Sequence, residues 1–437
     1  MLKMESLPEA VVQYILLNMN NAKDVASCNC VSRKFKDSMP YIKSLYFPRS
    51  IFDNLKDGHT PDCIILEIVS SIFELEELVV YCPFTSTGLT SWLSLVGPTL
   101  KNLELRMDNL ADQNTDSMSK LECIQFAKNL ESLRLWGVLM VRAPKWDVFQ
   151  KMKNLEIVGA KLEDSALTEA LKATPNLTNL VLLGCEGLRT VWIELLQLEH
   201  CKLDFYGSGS CSLTLSAPKI EYLEVQGCSW IRVRDTNCLK NLSISNNAGR
   251  VYMVDFGNKL MALESLCIRG VQWCWDAINK ILHLASEVKH LYMKVEFTGD
   301  FEALLPFPEI DFVDFFKSHP KLKTFDIHGA MFAALCQKNS LKNVSFKTTI
   351  NLLISKTKTR IFVHEQHVDS SFLIPCLEEV VITVRSPLNA EQKMSTLESL
   401  VKFGKNLKKM KIRILRMKSG HSSADDFFEE ICRGGKN

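Results

Sequence analysis

From Leu100 onward one short phrase returns down the chain: an apolar residue, two others, an apolar residue, one other, an apolar residue. It reads Leu100-Lys-Asn-Leu103-Glu-Leu105, Leu130-Glu-Ser-Leu133-Arg-Leu135, Leu177-Thr-Asn-Leu180-Val-Leu182 and Leu263-Glu-Ser-Leu266-Cys-Ile268. With Leu, Ile, Val, Met or Phe admitted, it also starts at Ile42, Leu75, Met152, Leu198, Ile220, Leu239, Val288, Leu322, Leu341, Leu377 and Leu407. The last two apolar residues of each phrase are two apart. They point to one side of a short strand, while their neighbours point to the other. One such unit cannot bury its apolar side alone; stacking the units buries a continuous core in an elongated array.

This phrase at a period of about 20–30 residues is the signature of a leucine-rich-repeat solenoid. The expected class is therefore α/β, with parallel strands tiling a concave face and helices or irregular segments on the convex face. Asp164-Ser-Ala-Leu167-Thr-Glu-Ala170-Leu171 and Trp275-Asp-Ala-Ile278-Asn-Lys-Ile281-Leu282 carry apolar groups at helical spacing and fit the convex layer. Leu213-Thr-Leu215 alternates instead, and Gly207-Ser-Gly209-Ser reads as a turn without the Lys-Ser/Thr of a phosphate-binding loop. The rhythm breaks between Leu341 and Leu377, where 348–372 reads as an irregular insert. Its Val363-His364-Glu-Gln-His367 run lacks the spacing that sets two histidines on one helix face beside a base.

Apolar residues make up 46% of the 437-residue chain, charged residues 23%, and the net charge is only +2. That balance supports a sizeable core but no strong field for nucleic acid or a membrane surface, so neither is expected as a partner. No apolar run approaches the about 18 residues of a spanning helix. The N-terminal residues lack the features of a secretory signal, so a cytoplasmic or nuclear location is expected. The fifteen cysteines are then mostly reduced thiols. Cys185 and Cys228, each following a glycine at one place in the repeat, read as small buried hydrophobes. No nucleophile elbow, zinc spacing or pair of acids in a common frame is present, so no cofactor or catalytic residue is assigned.

The first forty residues follow another pattern. Ser6 and Glu9 fit a capping box, Pro8 a first turn, and Val12, Ile15 and Leu16 form an apolar stripe at helical spacing. Asn20-Asn21 interrupts; Asp24 opens a second short helix with Val25 and Cys28, and Val31-Ser-Arg33-Lys-Phe35 continues as a third amphipathic piece. Three such helices bury little by themselves. Patterning alone allows either a cap on the first repeat or a docking module.

Leu7-Pro8-Glu9-Ala10-Val11-Val12-Gln13-Tyr14-Ile15-Leu16, Ala22-Lys23-Asp24-Val25-Ala26 and Cys30-Val31-Ser32-Arg33-Lys34-Phe35 resemble an F-box. Followed at once by Tyr41-Ile42-Lys-Ser-Leu45-Tyr-Phe47 and the array, the chain is similar nearly end to end to the plant F-box/LRR-repeat proteins. Leu135-Trp136-Gly137, Gly249-Arg250-Val251-Tyr252-Met253, Val271-Gln-Trp273-Cys-Trp275 and Val384-Arg385-Ser386-Pro387 look like one subgroup of them, which the 348–372 insert does not fit. Two further departures are Asn18-Met19-Asn20-Asn21 where the family often has Leu-Pro, and Phe35 where it often has Trp. The resemblance implies residues 1–40 as a small all-α three-helix F-box, 41–420 as the solenoid and 421–437 as an acidic capping tail. It implies docking on a Skp-type adaptor, and through it a cullin, with Leu7, Pro8, Ile15, Leu16, Val25, Val31 and Phe35 supplying the adaptor contacts or the small core beneath them. It further implies a substrate receptor of an SCF (cullin-RING) ubiquitin ligase, without catalysis of its own, that recruits an unnamed protein for ubiquitination. A small-molecule or hormone co-receptor on the same chassis and a non-ligase interaction scaffold stand as alternatives.

Alternate strand residues form the wall available to a substrate. Trp, Tyr and Arg give the most binding energy per contact, so Arg106, Arg134 and Trp136 form one candidate patch and Arg269, Tyr292 and Lys294 a second. Trp273 and Trp275 flank Cys274 at the start of a convex helix, where core packing is expected of at least one. The run Lys405, Lys408, Lys409, Lys411, Arg413, Arg416, Lys418 reads as a solvated end surface or as a contact for an acidic or phosphorylated segment. Phe427, Phe428 and Ile431 in the acidic tail would cover the last repeat.

Overall fold

Fourteen strands bear out the phrase rhythm. The computed structural model describes residues 7–53, 59–108, 119–206, 210–299, 305–339, 372–384 and 390–414, and the chain divides into two compact units, 1–220 and 221–437. In the first unit the strands Ser44–Phe47, Glu77–Val80, Asn102–Arg106, Ser132–Trp136, Asn154–Val158, Asn179–Cys185 and His200–Phe205 form a parallel sheet in that order. Each begins two residues after a phrase start. The register therefore aligns Leu103, Leu133, Leu155 and Leu180 in one buried row and Leu105, Leu135, Ile157 and Leu182 in the next. Burying a row of leucines stabilises by about 1.5–3 kcal/mol per side chain.

The second unit repeats the arrangement with Tyr222–Gln226, Asn241–Val251, Ser265–Trp273, His290–Thr298, Thr324–His328, Glu379–Val384 and Lys409–Ile414, again parallel. The fold class is the expected α/β leucine-rich-repeat solenoid. Thr324–His328 pairs directly with Glu379–Val384, Thr324 opposite Glu379; the phrase at Leu341 lies outside the described residues. The 348–371 part of the insert, the Gly207–Gly209 turn and the 421–437 tail lie outside the described residues. Phe372 rejoins the core, its ring 6.4 Å from Phe312 and 5.5 Å from Phe403.

The back layer is mixed. Helices Pro61–Ser70, Ser86–Val96, Asp164–Lys172 and Trp275–Leu284 turn their apolar stripes inward, the last through Ala277, Ile278, Ile281 and Leu282. Over the middle repeats the back layer is made of strands, as the alternation at Leu213-Thr-Leu215 implies for its unit. Thr190–Glu194 pairs with Cys211–Ser216 in the first unit, and Cys228–Arg234 with Met253–Asp255 in the second. The reason is length and pattern: repeats of about twenty residues leave no room for a helix, and Val191, Ile193, Ile231 and Val233 alternate with exposed Trp192 and Trp230. Gly159 and Gly184 turn the chain from wall to back layer at φ +62° and +60°, while the Gly159 N–H still donates to the next strand at the Leu183 carbonyl (2.8 Å). Cys185 and Cys228 follow such glycines and are fully buried; burial pushes the Cys185 thiol up to about 11. The described cysteines are all free.

At the N-terminal end of the array three helices pack together: α1 (Glu9–Leu17), α2 (Ala22–Asn29) and α3 (Arg33–Ser38). Helix α2 starts at Ala22 rather than at Asp24, because the Asn21 side chain accepts from the Lys23 N–H (3.0 Å) and caps it. The Ser6 half of the expected capping box is outside the described residues, and Pro8 stands at the N-cap of α1. The module is joined to the array by a main-chain hydrogen bond from Tyr46 N–H to the Asn20 carbonyl (2.7 Å) and a parallel bridge between Asn21 and Tyr46. No helix among the described residues is long and apolar enough to cross a membrane.

Candidate functional site

Two surfaces carry the candidate residues. On the helical module, Val12 and Leu16 of α1, Ala22 and Val25 of α2 and Phe35 of α3 close a small core. Leu16, Val25 and Phe35 are therefore fully interior, and of the seven expected contact residues they support the surface rather than form it. Pro8 and Val31 are exposed and Leu7 and Ile15 half-buried; Val31 sits in the turn before α3, not in it. The Lys34 ammonium donates to the Leu7 carbonyl (2.9 Å) and ties the start of α1 to α3. Val11, Tyr14 and Leu17, not singled out from sequence, are 40%, 69% and 53% exposed. They extend the outer stripe at helical spacing from Pro8, which was the available signal. Apolar side chains left outside on so small a module mark a surface meant to be covered.

The second surface is the open side of the strands. In the first unit Arg106, Arg134 and Trp136 do fall together, with Arg106 in register with Trp136 and Arg134 between Glu104 and Glu156. The organising residue is Glu104. Its carboxylate accepts from the Tyr81 hydroxyl, from the Trp136 indole N–H (2.8 Å) and from Arg134 (3.4 Å). Arg134 also reaches Glu156 at 2.7 Å, and Arg106 is held bidentate by Asp108 at 2.7–3.0 Å. Burial and the adjoining carboxylate push the Tyr81 phenol up to about 12. The Tyr81 ring meets Tyr46 and Trp136 edge-on at 5.5 and 6.5 Å. The result is a rigid, charge-balanced aromatic face instead of a basic one.

In the second unit Glu224 plays a similar part, accepting from Tyr222 (2.8 Å) and lying 3.7 Å from Arg269. The register brings Arg269 beside Lys294 and sets Cys267, Tyr292 and Asp326 in one row. Thus the second expected patch is also contiguous. Tyr292 and His328 meet edge-on at 6.3 Å. Burial lifts the Asp326 carboxyl above the usual range, with nearby Arg413 opposing. Trp273 is fully buried and donates to the Arg269 carbonyl (3.0 Å), while Trp275 is half-buried against Phe307. Of the C-terminal basic run, Lys408 and Lys409 pair with Glu378 and Glu379; Arg416 and Lys418 lie outside the described residues. Among the described residues no group of three or more His, Cys, Asp or Glu is placed to hold a metal ion.

Residues 68–348 match the family model described as the At1g61320/AtMIF1 LRR domain. The chain is 59% identical over 432 residues to the F-box protein At1g10780 of Arabidopsis thaliana, covering 98% of this chain and 97% of that protein. The identity thus runs through the helical module as well as the wall. With its three-helix module, its parallel wall and these two likenesses, the chain belongs to the plant F-box proteins that carry a leucine-rich-repeat domain.

Proposed function

We propose that this chain is the substrate receptor of an SCF (cullin-RING) ubiquitin ligase. The helical module docks on the Skp-type adaptor, and the wall holds a protein target in the cytosol or nucleus. The observation that carries the reading is the exposed stripe Pro8, Val11, Tyr14, with half-buried Ile15 and exposed Val31, over a core closed by Leu16, Val25 and Phe35. A segment serving only as a cap would have no use for that outer stripe. The chain does no bond chemistry itself. Holding a target beside the loaded conjugating enzyme raises the effective concentration of its lysines, and that is sufficient.

The hydrogen bond from Tyr46 to Asn20 favours a second role for the same helices, closing the end of the array. The two roles use different residues of the module, Asn20 and Asn21 for the array and the stripe from Pro8 to Tyr14 for the adaptor. The test is a pull-down of purified adaptor and cullin by the intact chain and by a Val11→Ser, Tyr14→Ser, Ile15→Ala variant. The intact chain retains both proteins. The variant, folded as judged by its melting curve, binds at least about a hundredfold more weakly. Equal retention by both chains, or none by either, leaves the module as a cap only.

A further inference from the structure

On the second unit's wall, a row of cations runs across the strands two residues beyond the Glu224 row. Register places Gln226, Ser245, Arg269 and Lys294 level on successive strands, and His328, Thr383 and Arg413 level on the next three. These two sets join, since Lys294 and His328 are each one step past the paired Met293 and Ile327. No carboxylate belongs to this row. Neither Lys294 nor Arg413 has an ion-pair partner among the described residues. Arg269 keeps only the 3.7 Å contact to Glu224 and a 3.5 Å bond to Ser243, and its buried Nε has no partner. One carboxylate oxygen of the adjoining Asp326 is likewise buried without a partner.

We propose that this row is the docking strip for an extended, carboxylate-rich segment of the protein target. The inference rests on the array being the target-holding part of the receptor. Spacing decides the kind of anion. At about 4.8 Å per strand, Arg269 to Arg413 spans about 19 Å, or about six residues of extended chain. A compact phosphate could meet one or two of these cations; an extended acidic peptide crossing the strands meets all of them. Lys411, one row back on the final strand, adds a further charge, consistent with the alternation that turns Lys411 and Arg413 to the open side and Met410 and Ile412 to the other.

The test uses the full chain in complex with adaptor and a dye-labelled twelve-residue peptide of Asp and Glu, read by fluorescence anisotropy. Its Asn/Gln counterpart and a single-stranded oligonucleotide of equal charge serve as competing probes. Saturable binding of the acidic peptide is expected, weakened at least about tenfold by Lys294→Gln with Arg413→Gln and measurably by Lys294→Gln alone. Lys172→Gln, on a back-layer helix of the other unit, should leave it unchanged. Binding that ignores the Lys294 and Arg413 changes overturns the proposal, as does tighter binding of the oligonucleotide. So does peptide binding that appears only after deleting 419–437, which would assign the strip to the chain's own Asp425-Asp-Phe-Phe-Glu-Glu segment. Adaptor retention is scored on the same variants. No peptide binding by the intact chain while it still holds the adaptor counts against the strip; no adaptor held by the intact chain while it still binds the peptide counts against the ligase reading.

Discussion

Glu104 shows how much a single wall residue can organise. Three donors converge on its carboxylate, the Trp136 indole and the Arg134 guanidinium from one neighbouring strand and the Tyr81 hydroxyl from just past the other. The sequence offered Arg106, Arg134 and Trp136, because arginine and tryptophan stand out as binding groups. It passed over Glu104, since a carboxylate at an alternate strand position reads as an ordinary solvated charge. Only the register, which puts Glu104 level with Arg134 and one strand from Tyr81, discloses the hub. The Tyr81 phenol reports on it. In the fold it ionises at about 12, against about 10 in an unfolded chain. Between those values the unfolded chain has lost a proton that the folded chain keeps. The group's contribution is therefore fully present below about pH 10 and lost as pH rises toward 12. Phenolate absorbance of the intact chain should show late-titrating tyrosines, Tyr81 and Tyr222 among them, and one of them should move toward the ordinary value in Glu104→Gln, where the charge is gone. An unchanged titration curve would remove Glu104 from that role.

At the scale of elements, the strands were the most legible part and the back layer the least. Each wall strand starts two residues after its phrase, because two buried rows of leucine leave only one register that keeps both inside. In the middle of the back layer the alternation at Leu213-Thr-Leu215 is legible as the strand Cys211–Ser216, while Thr190–Glu194 and Cys228–Arg234 were not singled out. Val191-Trp192-Ile193 and Ile231-Arg232-Val233 alternate, and alternation marks a strand even in so short a span. The start of α2 was misplaced for a different reason: Asn20-Asn21 was taken as a break, when Asn21 is the cap. The glycine turns make a graded prediction. An added Cβ at Gly159 meets nothing within 4 Å, so Gly159→Ala carries only the left-handed backbone cost of about 1–2 kcal/mol. At Gly137, φ +67°, the same Cβ would lie 2.5 Å from the Asp108 Cβ. Gly137→Ala should therefore lower stability clearly more than Gly159→Ala in urea unfolding. Equal losses would mean that the backbone term alone governs these turns.

Across the whole molecule, sequence reading named residues on both candidate surfaces but not which of them face inward and which outward. Of the seven expected docking residues, Leu16, Val25 and Phe35 proved to be core. An apolar residue on a short helix looks the same in sequence whether it faces inward or outward, and only packing separates Leu16 from Tyr14. The proposed receptor divides its work between two surfaces: an apolar stripe on the helical module for the adaptor, and a polar, patterned wall for the target. Hydrogen exchange on the full chain, with and without purified Skp-type adaptor, tests that division most directly. Slowed exchange is predicted across residues 7–31, with the strands around Arg134 and Lys294 unchanged. Protection centred on the wall, or none on the helices at saturating adaptor, would contradict it.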